Sequence, residues 1–188
     1  MVKNYNEVLY AHENIKTDRL ILRKAKPEDA ADLLEYASDP EVTQTLIWAG
    51  LSTFEEAYAS IFNHYWSAPG KWVIELKESG KMIGGIDIIL KPSHSKASFG
   101  YALNRHFWGK GYMGEALDAI VKLCFEKLQL NRVEARHYTN NPASGRVMEK
   151  AGMKYEGTAK QAEMVKGKLQ DVVFYGVTRE DYKSETDS

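Results

Sequence analysis

The sequence predicts an α+β fold, in which a mostly antiparallel sheet of about seven strands is flanked by about four helices. A hairpin pattern joins segments 72–76 and 82–90 around Ser79-Gly80. The stretch from Ala97 to Leu103 alternates like a strand, and a glycine-rich turn and a helical apolar stripe follow it. Near the C-terminus, two more strands are joined through Lys166-Gly167-Lys168. Strands connected by such short turns are typical of antiparallel sheets.

The other predicted elements rest on capping and stop signals. In chain order they are a strand at Leu20–Arg23, a helix from Lys26-Pro27 to Asp39-Pro40, a helix from a capping box at Ser52-Thr53-Phe54-Glu55 through about Trp66, and a strand at Arg132–Thr139. A last helix is capped by Asn140 or Asn141, begins at Pro142 and ends at Gly152 in a left-handed C-cap.

Composition sets the class of protein. The chain has 188 residues, 44% of them hydrophobic and 27% charged, with a net charge of −1. These values predict one globular domain, 1–188, with a polar lead-in at 1–16 and a flexible charged tail at 183–188. A near-neutral chain has no general attraction for nucleic acid or membrane. A single cysteine and no apolar leader favour the cytoplasm.

The central motif is Gly109-Lys-Gly-Tyr-Met-Gly114, between a strand and a helix. Strand, glycine turn and helix together present free backbone N–H groups to an anion, usually a phosphate. The motif also matches the dinucleotide fingerprint G-x-G-x-x-G, but about a hundred residues precede it, whereas that fingerprint opens an early βα unit. A turn without any ligand is the remaining structural alternative.

The segment His106-Phe-Trp-Gly109-Lys-Gly111 resembles the pyrophosphate loop of the GNAT acetyltransferases, Gln/Arg-x-x-Gly-x-Gly/Ala, with His in the first position. The chain is most similar to the RimJ/RimL-type N-terminal acetyltransferases. This similarity runs from Thr17 to about Tyr182 in four blocks. It implies a GNAT-like sheet, splayed at the acetyl-CoA site, and acetyl-CoA as the cosubstrate with no metal.

The resemblance assigns most coenzyme contacts to the loop. The residues implied in acetyl-CoA binding are Leu103, His106, Trp108, Gly109, Lys110, Gly111, Tyr112, Met113, Gly114, Asn141, Ser144 and Lys150. The backbone N–H of Leu103 would also stabilise the oxyanion formed in acyl transfer. Candidates for the 3′-phosphate are His106 and Lys150, with Arg105 and Arg146 as further basic residues. These four are also compatible with an ordinary solvated surface.

Two further residues are implied in the chemistry. The N-x-x-S block, Asn141 to Ser144, places Ser144 where the RimJ/RimL type has the serine that serves the departing thiolate. Met148 occupies the position of the tyrosine acid of many GNATs, so that mechanism is absent here. In the block Lys160-Gln-Ala-Glu163, the glutamate corresponds to the residue that accepts the amine's proton. The structural alternative for Glu163 is a solvated charge beside a turn, and Asp171 is expected to orient its neighbours.

The acceptor is the open question. The family resemblance favours the α-amine of a protein or peptide N-terminus, with Trp48, Tyr65 and Trp66 as candidate groove residues. A polyamine, an amino sugar or another small amine is the first alternative, and a non-catalytic acyl-CoA sensor is the second. A homodimer is compatible with the exposed aromatics expected around the second helix. The lone histidines His64 and His94 and the single Cys124 are expected to be structural.

Overall fold

The structure is a computed structural model that describes residues 4–186, with side chains up to residue 182. Its strands pair in the order β1-β2-β3-β4-β5-β6-β8-β7. Their bounds are β1 Ile15–Lys16, β2 Leu20–Arg23, β3 Lys71–Leu76, β4 Met82–Lys91, β5 Lys96–Leu103, β6 Arg132–Tyr138, β7 Lys154–Val165 and β8 Lys168–Thr178. All recorded registers are antiparallel except that of β5 with β6. The predicted α+β class is confirmed, with one strand more than expected.

Seven α-helices lie within the described part of the chain, more than the four predicted. They are α1 Tyr5–Ala11, α2 Ala30–Ala37, α3 Pro40–Thr43, α4 Phe54–Ser60, α5 Tyr112–Lys122, α6 Pro142–Lys150 and α7 Arg179–Thr186. Helices α4 and α5 each continue into a π-helical turn, at Ile61–Tyr65 and Leu123–Lys127. The excess comes from short or terminal helices. The predicted flexible tail is described only to Thr186, the end of α7, and residues 187–188 lie outside the described residues.

The polar lead-in contains two elements that the sequence did not predict. Asn4 caps α1 by accepting a hydrogen bond from the N–H of Glu7, and Leu9 is the buried residue of this helix. The indole N–H of Trp72 donates to the carbonyl of His12, 2.9 Å away, just beyond the helix. A seven-residue helix with one buried position carries no helical period, which is why the pattern missed it.

The capping box of α4 is shifted by one residue from the predicted Ser52/Glu55 pair. The hydroxyl of Thr53 accepts from the N–H of Glu56 at 3.2 Å. The Glu56 carboxylate accepts in return from the N–H groups of Thr53, at 3.2 Å, and of Ser52, at 2.6 Å. Two consecutive carboxylates at 55 and 56 fit the same motif, so the sequence could not select between the two registers.

The described chain divides into two compact units, of which the first comprises residues 4–88 and 100–116. The core of this unit is made by α2, α4 and the inner faces of β3 and β4. Arg23 is 7% exposed and bonds both oxygens of Asp29, at 2.7 and 2.8 Å. It also bonds Glu75 across β2 and β3. A charged group buried so deeply is stable only because it is paired in this way.

The second unit comprises residues 89–99 and 117 onward. Here β6 and β8 form a long antiparallel ladder from Arg132↔Thr178 to Tyr138↔Val172, and β7 pairs with the outer side of β8. The parallel register of β5 with β6 covers Lys96–Ser98 and Arg132–Glu134. Cys124 is buried, and burial raises the pKa of its thiol, as expected for a structural cysteine.

Two properties of the whole described chain bear on function. None of its helices is long and apolar enough to cross a membrane. Among the described side chains, up to residue 182, no group of three or more His, Cys, Asp or Glu residues is arranged to hold a metal ion. The single-domain organisation and the splay of the sheet at the coenzyme site stay predictions.

Candidate active site

One candidate segment, in the first unit, is residues 104–114, called the glycine loop below. It begins at Asn104, which is 2% exposed. The N–H of Asn104 donates to the carbonyl of Ile83 at 2.8 Å, and its side-chain amide donates to Glu35 at 2.9 Å. Its side-chain oxygen accepts from the N–H of His106 at 3.0 Å. The start of the loop is therefore fixed by a buried side-chain amide that both donates and accepts hydrogen bonds.

The glycine loop presents a run of free donors. Gly109 and Gly111 have φ values of 74° and 81°, in the left-handed region that favours glycine. Within the described residues, the backbone N–H groups from 109 to 114 have no acceptor, and the next one, of Glu115, donates to the carbonyl of Gly111. Helix α5 begins at Tyr112, so its positive end lies at the same place. Donors arranged in this way, called the anion cradle below, are suited to receive an anion, and anion binding here stays a prediction of the strand-turn-helix pattern.

Several side chains of the loop have contacts of their own. The indole N–H of Trp108 donates to the carbonyl of Leu103, 2.8 Å away, while 45% of the residue stays exposed. The ammonium of Lys110 lies 5.2 Å from the centre of the Phe107 ring. Arg105, a predicted phosphate candidate, instead pairs with Asp39 at 2.9 Å. Lys110 and His106 are exposed and supply basic groups beside the free N–H donors.

Two residues at the loop were missed by the sequence analysis. The guanidinium of Arg19 pairs with Glu115 at 2.7 Å and donates to the carbonyl of Lys110 at 2.9 Å. Burial alone would raise the pKa of the Glu115 carboxyl, but hydrogen bonds from Thr17 and Arg19 outweigh it and lower that pKa. Arg19 lies within Thr17–Arg23, one of the four blocks that resemble the RimJ/RimL type, and that is the only signal the sequence offered.

A separate candidate segment, in the second unit, is the N-terminus of α6. Asn141 is its N-cap: the side-chain oxygen of Asn141 accepts from the N–H of Ser144 at 3.4 Å. Pro142 is the first helical residue and Gly152 follows the helix at φ 79°, so the predicted cap and stop are confirmed. Ser144 is half-buried in the first turn, and Lys150 is exposed at the last position of the helix.

Glu163 lies on β7, and two side chains of β6 hold it. The hydroxyl of Tyr138 donates to one carboxylate oxygen at 3.0 Å, and Arg136 forms an ion pair with the other. Both carboxylate oxygens of Glu163 therefore have partners on β6. The side chain of Glu163 is still 25% exposed, so solvent reaches it.

A bulge in β7 sets the position of Glu163. The register passes from Ala159↔Val172 to Glu163↔Gln170, so β7 has two residues more than β8 over this interval. Gln161 takes a φ of 49° in the bulge, and its N–H donates to the carboxylate of Asp171 at 2.8 Å. Asp171 thus fastens the bulge, as its predicted orienting role required. Bulges commonly redirect a side chain next to a functional site.

The comparisons with known proteins agree with this geometry. The chain matches the family described as acetyltransferase (GNAT) domain over residues 19–154 and therefore belongs to the GNAT acetyltransferases. It is 33% identical to the uncharacterized N-acetyltransferase p20 of Bacillus licheniformis, over 90% of this chain and 98% of that protein. A GNAT-family acetyltransferase of known structure from Bacillus anthracis is 28% identical, with a TM-score of 0.81 over 89% of this chain and 99% of the other.

A more distant relative has a named acceptor. The [ribosomal protein uS5]-alanine N-acetyltransferase of Escherichia coli is 23% identical, in an alignment that covers 89% of this chain and 92% of that protein. GNAT enzymes transfer the acetyl group of acetyl-CoA to an amine. The chain is thus an acetyl-CoA-dependent N-acetyltransferase. The six free N–H donors of the glycine loop fit the pyrophosphate of that cosubstrate, because a pyrophosphate supplies several charged acceptors at once.

Proposed function

We propose that this protein acetylates the α-amine of a protein or peptide N-terminus. The observation that carries the acetyl-CoA part is the run of free N–H groups at the start of α5. The acceptor part rests on the likeness, over most of both chains, to an enzyme named for the alanine of a ribosomal protein. An α-amine with a pKa of about 8 is mostly protonated at neutral pH, so the enzyme must remove a proton before the amine attacks.

Each residue has a proposed role in this transfer. Glu163 accepts the amine's proton, directly or through a water. The N–H of Leu103 stabilises the negative charge that develops on the acetyl oxygen. The hydroxyl of Ser144 serves the departing thiolate, by a proton or by a hydrogen bond to the sulfur. Because hydroxyls are weak acids, positioning carries much of the rate enhancement.

Glu163→Gln is expected to lower kcat/KM by about tenfold or more at neutral pH, since a general base contributes at least that factor. The amide keeps the size of the side chain and its hydrogen bond to Tyr138, while it cannot take a proton. The defect is expected to shrink as the pH rises, because the free amine then deprotonates without help. Initial rates between about pH 6 and pH 10 would measure this.

Glu156→Gln is the matched control for this variant. Glu156 lies on the same strand, β7, and pairs with Arg132 on β6, so its replacement also removes an ion pair between these two strands. It is expected to leave the pH profile of the rate unchanged. A loss for Glu163→Gln that is equal at every pH and accompanied by a lower Tm would mean that the Glu163–Arg136 pair is structural.

The acceptor is tested by product analysis. The protein would be incubated with acetyl-CoA and a pool of peptides with varied N-termini, polyamines and amino sugars, and the products would be read by mass spectrometry. Acetylation of peptide α-amines alone supports the proposal and identifies the favoured first residue. Small-amine products alone would assign the same chemistry to a metabolic acceptor. Measurable acetyl-CoA binding without any product would favour the sensor.

We also propose dimerisation, from a row of exposed aromatic side chains on α4 and the turn after it. Phe54, Tyr58 and Trp66 are 49%, 43% and 44% exposed along α4 and the turn that follows it. The ring centres of Phe54 and Tyr58 are 6.1 Å apart, and Phe62 continues the row towards Trp66 at 4.8 Å. Light scattering after size-exclusion chromatography would show whether two copies associate. Phe54→Ser would show whether this row is the contact.

A further inference from the structure

Arg19 directly precedes β2, and its guanidinium contacts the glycine loop and the first turn of α5. Its Nε donates to Glu115 at 2.7 Å, and its Nη1 donates to the carbonyl of Lys110 at 2.9 Å. Its central carbon lies 4.5 Å from the centre of the Tyr112 ring. One side chain thereby contacts the loop before, at and after the first residue of α5. A planar guanidinium suits this task because it holds several partners in one fixed geometry.

The bond to Lys110 bears directly on the anion cradle. A trans peptide is planar, so its carbonyl and the N–H of the next residue point in opposite directions. Holding the carbonyl of Lys110 towards Arg19 therefore turns the N–H of Gly111 away from Arg19, and this N–H is one of the free donors. The conformation of the loop is set before any ligand binds, which lowers the ordering cost of binding.

The bond to Glu115 has an electrostatic consequence. Glu115 lies in the first turn of α5, next to the donors that would meet a pyrophosphate. A carboxylate there stabilises the helix but repels an incoming anion. Three donors hold it: the Thr17 hydroxyl at 2.5 Å, the Arg19 N–H at 2.8 Å and the Arg19 guanidinium. Arg19 offsets the charge of the carboxylate and binds both of its oxygens.

We infer that Arg19 is a positioning residue for acetyl-CoA: it orients the N–H groups of the glycine loop and neutralises Glu115 so that the cradle stays positive. This inference rests on the proposed function, since it assumes that the cradle receives the pyrophosphate of acetyl-CoA. Arg19 acts through the loop rather than on the reacting atoms, so its loss should affect coenzyme binding far more than turnover.

The test compares Arg19→Ala, Arg19→Lys and the double variant Arg19→Ala/Glu115→Gln. For Arg19→Ala the Kd of acetyl-CoA by calorimetry and its KM are expected to rise about tenfold or more, which is the effect of losing a charged hydrogen bond. The kcat at saturating acetyl-CoA is expected to change less than about twofold. The Kd of Arg19→Lys should be intermediate. An ammonium still cancels the charge of Glu115, but it lacks the planar guanidinium that also bonds the carbonyl of Lys110.

The double variant separates the two effects of Arg19. Removing the Glu115 charge together with Arg19 should recover part of the lost affinity, and the part that is not recovered measures the orientation of the loop. Lys122→Ala is the matched control. It removes one positive charge from α5, the helix that carries Glu115. Lys122 pairs there with Glu126 at 3.9 Å, and its replacement should leave the Kd of acetyl-CoA unchanged.

The outcomes separate this inference from the proposed function. Wild-type protein that binds no acetyl-CoA would overturn both. If the wild type binds and Arg19→Ala binds equally well, with only a lower Tm, Arg19 is structural and the inference fails. An equal loss in kcat and in coenzyme affinity would also overturn it, because that pattern belongs to a residue at the reacting atoms. Arg19→Lys keeps the test decisive if the alanine variant does not fold.

Discussion

Gly84→Ala is expected to lower kcat by about a hundredfold, the effect of displacing a reacting group by about 1 Å. A Cβ on Gly84 would lie closer than 3.0 Å to the carbonyl oxygen of Ala102, and 3.1 Å from the Cα of Leu103. Both atoms belong to the backbone of β5, so neither can move aside cheaply. The end of that strand must shift, and with it the N–H of Leu103 that we propose as the oxyanion donor.

The measurement pairs Gly84→Ala with Gly100→Ala. Gly100 lies on β5 itself, and a Cβ there meets nothing within 4 Å. The control therefore adds the same methyl group to the same strand region without displacing it. Gly84→Ala should also lower the free energy of unfolding by about 1–3 kcal/mol, as overpacking generally does. A large loss of stability with an unchanged kcat would remove Leu103 from the proposed mechanism.

The elements that the sequence predicted well are those whose signals are local. Helix α6 begins after Asn141, starts with Pro142 and stops before Gly152; Asn141 acts through its capping side chain, and Pro142 and Gly152 act through their backbone preferences. The hairpin around Gly80 and the glycine loop before α5 are of the same kind. For them, the type of residue dictates the conformation, and no distant contact is needed.

The features that the sequence missed depend on distant partners. The bond between Arg19 and Glu115 joins residues 96 positions apart, and that between Tyr138 and Glu163 joins residues 25 apart. Neither pair has a periodic pattern. Glu163 was recognised as a candidate through the family resemblance alone. Its two partners lie on β6, which is separated from β7 by β8, so only the strand order of the sheet reveals them. The chemistry of a residue is local, whereas its environment is tertiary.

Gly109→Ala is the second substitution with a large expected effect. Gly109 has a φ of 74° and open space where a Cβ would lie, so the cost of alanine is that of a left-handed backbone, about 1–2 kcal/mol. A shift of this peptide away from the left-handed region also turns the neighbouring N–H donors out of the cradle. The Kd of acetyl-CoA is therefore expected to rise between about tenfold and a hundredfold, which is one to two charged hydrogen bonds.

Gly80→Ala provides the comparison that isolates binding from strain. Gly80 has nearly the same backbone, with φ 71°, and its Cβ site is also open, but it lies in the turn between β3 and β4. Both variants should lose similar stability in thermal unfolding, while only Gly109→Ala should lose acetyl-CoA affinity in calorimetry. Equal affinities in the two variants would mean that the N–H groups of the glycine loop do not hold the pyrophosphate. Because the strain is matched, a difference in Kd must come from the position of Gly109 at the start of α5.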